Sequence, residues 1–307
     1  MSDKKSPGGP CNRKPDAGMR SKEEMMSLIL RVAQENPLIR AAVLNGSRAN
    51  PLVKPDPFQD YDVQFFVRDL APFLENPHWI DVFGPRLILQ TPEAMELFPP
   101  TLGRRFTYLM QFTDGNRVDL MLTPLEECAQ RCREDGLTIL LLDKDGVCPP
   151  LPKPSARQHC VAQPTEGVFA DCCNEFWWTS TYVAKGLWRG ELPYAVHHIE
   201  NCVRKMLFQM MDWRVWCEFG GDAYTGKYHK YLSRYLPAEE WDLCLSTYAC
   251  QTEEDCWISL FTLQSLMEKN ALLVAGRLGF SYDGETAGHI LEYLRHVKAL
   301  PRDAEQI

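Results

Sequence analysis

The apolar positions near the start of the chain recur with the period of a helix. Over residues 21–35, apolar side chains return every three or four residues, which predicts an amphipathic helix. Ser21 stands three residues before Glu24, a spacing typical of a capping box at a helix N-terminus. Pro37 ends this pattern, because proline lacks the N–H group that a continuing helix needs.

The following segments have the pattern of β-strands. Residues 39–44 are a short apolar run. Residues 60–67 alternate between two faces, with Tyr61, Val63, Phe65 and Val67 on one and Asp60, Asp62 and Gln64 on the other. Further strands are predicted at residues 86–90, 106–113 and 117–123. The last two flank Asp114-Gly115, a hairpin signal because both residues tolerate positive φ.

The second half of the chain has a helical pattern throughout. Helices are predicted at residues 168–189, 193–219, 237–248, 253–278 and 287–300. The expected fold class is therefore α+β, with an N-terminal mixed or antiparallel sheet carrying helices and a C-terminal helical bundle. The expected organisation is a leader at 1–18, a sheet domain at 19–146, a Pro-rich linker at 147–166 and a helical domain at 167–307.

The charge balance excludes some classes of partner. The 307-residue chain carries 33 Lys and Arg against 41 Asp and Glu, a formal net charge of −8. No run of basic residues forms the stripe with which proteins displace counterions from nucleic acids, so we expect no nucleic-acid partner. An acidic surface instead favours a small cationic molecule. No apolar run approaches the roughly 18 residues of a membrane helix, so we expect no membrane association.

Whether the twelve cysteines are reduced or form disulfides depends on the cellular compartment of the protein. Because the chain has no recognisable export signal, we expect reduced thiols and a cytoplasmic location. No two cysteines have CxxC spacing, so we expect them to act as small core residues and not as a zinc site.

Three aspartates form the strongest chemical signal in the chain. Asp60 and Asp62 lie two residues apart on one predicted strand, so both side chains point to the same face. Asp119 lies on a later strand, and if that strand neighbours the first, three carboxylates converge. Like charges this close repel unless a cation lies among them, and oxygen ligands suit Mg²⁺. Two such ions can clamp the attacking and leaving oxygens of an in-line displacement.

A small-residue turn precedes these aspartates. Gly46 and Ser47 follow the strand at residues 39–44 and can open a helix, where free backbone N–H groups and a hydroxyl suit a phosphate. Arg48 could add a cation or form only a surface ion pair. Gly-Ser alone is most often an ordinary turn. Its position sixteen residues before Asp62, with a third aspartate on a following strand, predicts a site for nucleoside triphosphate chemistry.

Several segments resemble a known family. The Gly-Ser turn, the Asp-x-Asp pair and the later carboxylate are similar to the pattern of the nucleotidyltransferase superfamily. More narrowly, six segments resemble the aminoglycoside 6-adenylyltransferases, the streptomycin-modifying enzymes. These are residues 44–51, 58–62, 79–84, 112–120, 176–189 and 226–228. The resemblance covers approximately residues 19–300 and implies a nucleotidyltransferase domain followed by a helical substrate-binding domain.

The resemblance also implies an activity and a set of roles. The expected reaction uses ATP and Mg²⁺ to adenylate streptomycin at its 6-hydroxyl, with release of pyrophosphate. The metal role falls to Asp60 and Asp62. Asp119 would complete the metal site or help to deprotonate the acceptor, and the sequence does not separate these two roles. The triphosphate role falls to Gly46, Ser47 and Arg48.

The helical half supplies further candidates. Lys205 and Lys227 could contact the triphosphate, although a solvated helix residue is the commoner interpretation of each. Streptomycin is cationic, so acidic and aromatic side chains are expected to bind it through charge-assisted hydrogen bonds and cation–π contacts. The candidates are Glu175 and Trp178 first, then Glu166 and Asp171.

Two alternatives stay open at this point. The acceptor could be another aminoglycoside or a lincosamide, or the chain could be a nucleotide-binding module without catalysis. We expect a monomer or a weak dimer.

Overall fold

The computed structural model describes residues 18–307, and almost all of the predicted leader lies outside the described residues. The chain divides into two compact units, with the boundary between Gln158 and His159. The first unit holds every strand of the six-stranded sheet, and the second is helical. The predicted α+β class is therefore confirmed. No helix in the described part of the chain is both long and apolar enough to cross a bilayer.

The sheet of the first unit has the strand order β3-β4-β5-β2-β1-β6. Its strands are β1 (Ile39–Asn45), β2 (Tyr61–Val67), β3 (Arg86–Gln90), β4 (Phe106–Phe112), β5 (Arg117–Pro124) and β6 (Ile139–Asp143). Strands β2 and β5 pair in parallel, and the other neighbours pair antiparallel. The mixed sheet that the sequence pattern predicts is thus confirmed, and β2 lies beside β5.

One face of this sheet packs against the first helix. The helix α1 spans Lys22–Glu35, and the predicted capping box of Ser21 and Glu24 is present. Apolar side chains of α1 form a core with alternate residues of the central strands, including Val63, Phe65 and Leu120. This burial removes the apolar stripe of the helix from water and holds it on the sheet. The alternate positions of the same strands therefore point to the other face.

The other face carries a smaller core and the polar site. Ala41, Val43 and Phe66 pack there against α3 (Cys128–Glu134). Neither α3 nor the edge strand β6 was among the predicted elements. The predicted helix after Gly46 is also corrected, because the chain makes only a single 3₁₀ turn at Gly46–Ala49 before it enters a loop. A short helix α2 spans Ala71–Glu75.

The second unit consists of helices around one core. They are α4 (Glu166–Trp188), α5 (Leu192–His198), α6 (Arg204–Phe219), α7 (Ala238–Ser246), α8 (Glu253–Leu278) and α9 (Gly284–Ala299). The helix predicted at 193–219 is present as one continuous helical run, in which a π-helical segment at Ile199–Val203 joins α5 to α6. Thr252 and Asp255 form the predicted capping box of α8. Buried Arg214 donates to Glu240 and Asn270, which satisfies these polar groups inside the bundle.

Candidate active site

The pairing of three strands places polar residues in a row across the sheet. Asp62 on β2 lies directly opposite Asp119 on the parallel strand β5. On the other side of β2, Asp62 lies opposite Asn45, the last residue of β1. Side chains at paired positions of neighbouring strands point to the same face. Asp60 lies just before β2, and its Oδ2 lies 3.6 Å from the same Arg117 Nε that binds Asp119, so it faces the same side. The sheet therefore brings Asp60, Asp62 and Asp119 to one face.

Ionising all three aspartates of this row at once costs free energy. Burial, together with the negative charges of Asp119 and Asp60, raises the pKa of Asp62 to about 6. Burial also raises the pKa of Asp60 above its ordinary value, with Asp119 contributing in the same direction. Nearby positive charge opposes both shifts. A site with this excess of negative charge is suited to bind a cation.

Part of that positive charge comes from Arg117, which the sequence reasoning did not single out. Its Nε and Nη2 donate to the two carboxyl oxygens of Asp119 over 2.8 and 2.9 Å. Its Nε also lies 3.6 Å from Oδ2 of Asp60. Arg117 and Asp119 are two residues apart on β5, so they share a face. This spacing is the sequence signal that could have identified Arg117 as part of the site.

The turn at Gly46 is shaped around Asp62. Gly46 has a φ of +69°, and a Cβ atom there would lie 2.1 Å from Oδ2 of Asp62. Only glycine combines this backbone conformation with such close approach to the carboxylate. The neighbouring Ser47 is half-buried, and its carbonyl accepts a hydrogen bond from the side chain of Gln59 over 3.2 Å. The turn is thereby tied to the segment that precedes β2.

Arg48 has contacts that differ from the triphosphate role implied by the resemblance. Its guanidinium donates to the carbonyls of Gln59 and Asp60 over 2.7 and 3.1 Å. It also lies over the ring of Tyr61, 3.6 Å from the centroid. These contacts hold the backbone that carries Asp60, so the structure gives Arg48 a positioning role. The triphosphate role of Arg48 stays a prediction.

The donor set of the row fits Mg²⁺. Carboxylate oxygens are preferred ligands of this ion, which takes one or two carboxylates and completes its octahedron with waters and phosphate oxygens. The oxygens of Asp60, Asp62 and Asp119 are not among the described side-chain groups whose ligand atoms all lie within 4.8 Å of one another. These distances suit carboxylates that bind different ions, or that bind an ion in pairs, better than three carboxylates on a single ion.

The acceptor candidates of the second unit lie on α4. Asp171, Glu175 and Trp178 are exposed and recur at helical spacing, so they form one stripe with Tyr182. Trp178 is 57% exposed, and its indole N–H donates to the hydroxyl of Tyr182 over 2.8 Å. An exposed stripe of carboxylates and aromatic rings provides the contacts that a guanidinium prefers.

The remaining candidates are also in the second unit. Glu166 begins α4, and its carboxylate accepts from the backbone N–H of Ser281 over 3.2 Å. Asp171 and Ser281 both line a cavity of about 340 Å³. Lys205 and Lys227 are exposed, and the ammonium of Lys227 lies 5.1 Å from the ring centroid of Tyr228. The triphosphate role of both lysines stays a prediction.

A sequence model of the family described as streptomycin adenylyltransferase matches residues 19–297. The chain belongs to this family. An aminoglycoside 6-adenylyltransferase of Bacillus subtilis (strain 168) is 43% identical over 265 residues, covering 86% of this chain and 93% of that protein. The enzyme of the same name from Campylobacter jejuni is 41% identical over 264 residues, covering 86% and 91%. Membership in the streptomycin adenylyltransferase family confirms the resemblance and identifies the chain as an adenylyltransferase.

A solved structure also matches. The crystal structure of an aminoglycoside 6-adenyltransferase from Bacillus subtilis is 37% identical, with a TM-score of 0.46, and the match covers 92% of this chain and 100% of that one. Residues 19–297 include every candidate named above.

We expect Arg117 to set the pH dependence of this adenylyltransferase. Activity should fall as the pH drops through about 6, because Asp62 then becomes protonated. Arg117 lowers the pKa of both Asp62 and Asp60, so Arg117→Gln should move this acidic limb to higher pH. The measurement is the pH profile of kcat/KM for ATP. Arg104→Gln, which removes an exposed partner of Glu126, should leave the limb in place. A limb unchanged in Arg117→Gln would contradict this assignment.

Proposed function

We propose that the protein transfers AMP from ATP to the 6-hydroxyl of streptomycin in a reaction that requires Mg²⁺, and so gives resistance to this antibiotic. The observation that carries the proposal is the placement of Asp62 opposite Asp119, with Gly46 so close that a Cβ atom there would lie 2.1 Å from the Asp62 carboxylate. The proposal includes the cytoplasmic location that is expected from the sequence. We also propose that the sheet unit binds the nucleotide and that the helical unit binds the acceptor.

In this reaction the acceptor oxygen forms a bond to the α-phosphorus, and the bond from that phosphorus to the bridging oxygen breaks. Pyrophosphate leaves, and the proton of the hydroxyl passes to a base. Asp60 and Asp62 would hold Mg²⁺, which supplies Lewis-acid stabilisation of the phosphate charge when bound. Asp119 is the candidate to complete the metal site or to take up the proton.

The chain's own residues prepare the site for this chemistry. The turn at Gly46 leaves room for Asp62 and presents backbone N–H groups, which suit phosphate oxygens. Arg48 fixes the backbone at Asp60. Arg117 holds both oxygens of Asp119 and fixes the direction in which that carboxylate points. Groups held in place in this way need little reorganisation during the reaction.

The stripe on α4 supports a cationic acceptor. Streptomycin carries two guanidinium groups and an amine, which Asp171 and Glu175 can bind through charge-assisted hydrogen bonds. The exposed ring of Trp178 can stack on a guanidinium.

Pyrophosphate release with a panel of acceptors tests the proposal. The protein is incubated with ATP, MgCl₂ and either streptomycin, another aminoglycoside, spectinomycin or a lincosamide. Release with streptomycin, and a gain of one AMP in the mass of the antibiotic, is the expected result. Release only with a different acceptor would overturn the choice of streptomycin. Binding of ATP without release in any arm would indicate a module that has lost catalysis.

Replacing Trp178 with alanine should weaken acceptor binding selectively. We expect KM for streptomycin to rise about tenfold, because a partly desolvated cation–π contact contributes about 1–2 kcal/mol. KM for ATP should not change. Phe219→Ala is a matched control, since Phe219 is a similarly exposed aromatic residue of the same unit. Equal values of KM for streptomycin in Trp178→Ala and the unmodified protein would remove Trp178 from the acceptor site.

A further inference from the structure

Two cysteines of α3 and one from the loop after β6 meet at one side of α3. The sulfur atoms of Cys128 and Cys132 lie 3.9 Å apart, and those of Cys128 and Cys148 lie 3.2 Å apart. All three sulfurs lie within 4.8 Å of one another, the only group of three potential metal-ligating side chains with this property among residues 18–307. Cys128 and Cys132 are buried and Cys148 is half-buried. The three thiols therefore form a compact cluster at the edge of the core.

The surrounding elements hold each cysteine in place. Cys128 and Cys132 are four residues apart on α3, so their side chains lie on the same face of the helix. That face packs on Ala41, Val43 and Phe66 of the sheet. The backbone N–H groups of Val147 and Cys148 donate to the carboxylate of Asp143 over 3.1 and 2.8 Å. The loop after β6 is thereby folded back so that Cys148 faces the helix.

We propose that Cys128, Cys132 and Cys148 form a site for a thiolate-binding d¹⁰ cation such as Zn²⁺. Zinc–sulfur bonds are about 2.3 Å long and the coordination is tetrahedral, so two sulfurs on one ion lie about 3.8 Å apart. The separation of 3.9 Å between Cys128 and Cys132 matches this value, and that of 3.2 Å to Cys148 needs a small outward shift. Binding releases the thiol protons to solvent and leaves three thiolates on the ion.

A fourth ligand can reach the cluster from one side. A cleft of about 480 Å³ is lined by Cys128, Ala129 and Val147, together with Leu125, Glu126 and Arg68. This opening admits water, which would complete a tetrahedral site. The proposal departs from the expectation drawn from the sequence, because that expectation considered only CxxC spacing. Here the helix supplies an i, i+4 pair and the loop supplies the third thiol.

The site has a structural consequence for the first unit. Phe66, which packs in the same small core as Cys128 and Cys132, lies on β2 four residues after Asp62 and on the same face. A bound ion would join α3 and the loop at Cys148 with coordination bonds, which would stabilise this face against unfolding.

Titration with Cd²⁺ tests the proposal directly. The full-length protein is reduced, freed of metal and titrated while the ultraviolet thiolate-to-cadmium charge-transfer band is followed. We expect saturation at one ion per chain with the band intensity of three thiolates. Cys148→Ser should weaken binding by more than about 100-fold, since loss of an outer-shell partner alone costs 10–100-fold. Cys132→Ser provides a second variant, and retained far-ultraviolet circular dichroism shows that each variant is folded.

Cys250→Ser is the matched control. Cys250 is half-buried and neighbours another thiol, Cys256, so it tests whether any pair of cysteines binds the ion. The Cys250→Ser control should bind Cd²⁺ like the unmodified protein. Zn²⁺ should raise the melting temperatures of the unmodified protein and of Cys250→Ser, but not that of Cys148→Ser. An unchanged titration in Cys148→Ser would overturn the proposal. So would a Cys128–Cys148 disulfide in the non-reduced protein together with absence of metal uptake.

Discussion

Replacing Asp62 with asparagine is expected to abolish adenylyl transfer and, at the same time, to stabilise the metal-free protein. Asparagine keeps the shape of the side chain but cannot bind Mg²⁺ as a charged ligand or accept a proton. We expect kcat to fall by about 10³-fold or more. Loss of a positioned acid–base group, or of a group that stabilises charge in the transition state, has effects of about this size. Pyrophosphate release with ATP, MgCl₂ and streptomycin measures this loss.

The gain in stability follows from the sign of the pKa shift. The pKa of Asp62 rises from 3.8 to about 6 on folding, so ionising Asp62 opposes the folded state. Its favourable contribution is complete below pH 4 and is lost as the pH rises through 6. At pH 7 the ionised carboxylate of Asp62 therefore lowers the free energy of unfolding by about 2 kcal/mol. Each pKa unit corresponds to about 1.4 kcal/mol, and the total is reduced here because the carboxylate is partly solvated. Asp62→Asn removes this loss and should raise the melting temperature at pH 7 but not at pH 4.

Asp114→Asn is a control of opposite sign. The pKa of Asp114 is lowered to about 2 by hydrogen bonds from Arg20 and Asn116, which outweigh its burial. Its ionised form therefore stabilises the folded state above pH 4, and Asp114→Asn should lower the melting temperature at pH 7. Saturating MgCl₂ should stabilise the unmodified protein more than Asp62→Asn. An Asp62→Asn variant with near-normal turnover would contradict the metal assignment, and one that melts lower at pH 7 would contradict the electrostatic argument.

Replacing Gly46 with alanine is expected to reduce both activity and stability. Alanine at φ +69° costs about 1–2 kcal/mol in backbone conformation. Its Cβ would also lie 2.1 Å from a carboxyl oxygen of Asp62, so the carboxylate or the turn must move. Overpacking of this kind typically costs a further 1–3 kcal/mol. Since a displacement of about 1 Å at a catalytic group can cost 10²-fold, we expect kcat/KM to fall by about that factor.

Gly103→Ala separates the two contributions. Gly103 has almost the same φ, +68°, but a Cβ there would meet nothing within 4 Å. This control should lose only the conformational part of the free energy of unfolding and none of the activity. In an Asp62→Ala background, Gly46→Ala should cost little more than Gly103→Ala, because the colliding carboxylate is gone and only the Cβ of residue 62, 3.3 Å away, remains close. Equal effects of Gly46→Ala and Gly103→Ala in the unmodified background would show that contact with Asp62 is unimportant. Urea unfolding and the pyrophosphate assay provide both measurements.

The sequence reasoning succeeded where the signal is local. A capping box, the alternation of a strand and the Asp114-Gly115 hairpin depend on residues a few positions apart, and all three are present in the fold. It did not identify β6 or α3, which are five and seven residues long and have little periodicity to detect. It predicted the continuous helical run that contains α5 and α6 but not the π-helical segment within it, because such a segment preserves much of the helical pattern.

By itself, the sequence determined that Asp60 and Asp62 share a face and that the first half forms a mixed or antiparallel sheet. The reason is that side chains alternate along any strand, whatever lies beside it. Only the tertiary structure decided that β5 lies parallel to β2 with Asp119 opposite Asp62, that Arg117 joins Asp60 and Asp119, and that Cys148 meets Cys128 and Cys132. These contacts join residues far apart in the chain, and they depend on how strands and loops pack, which no local spacing specifies.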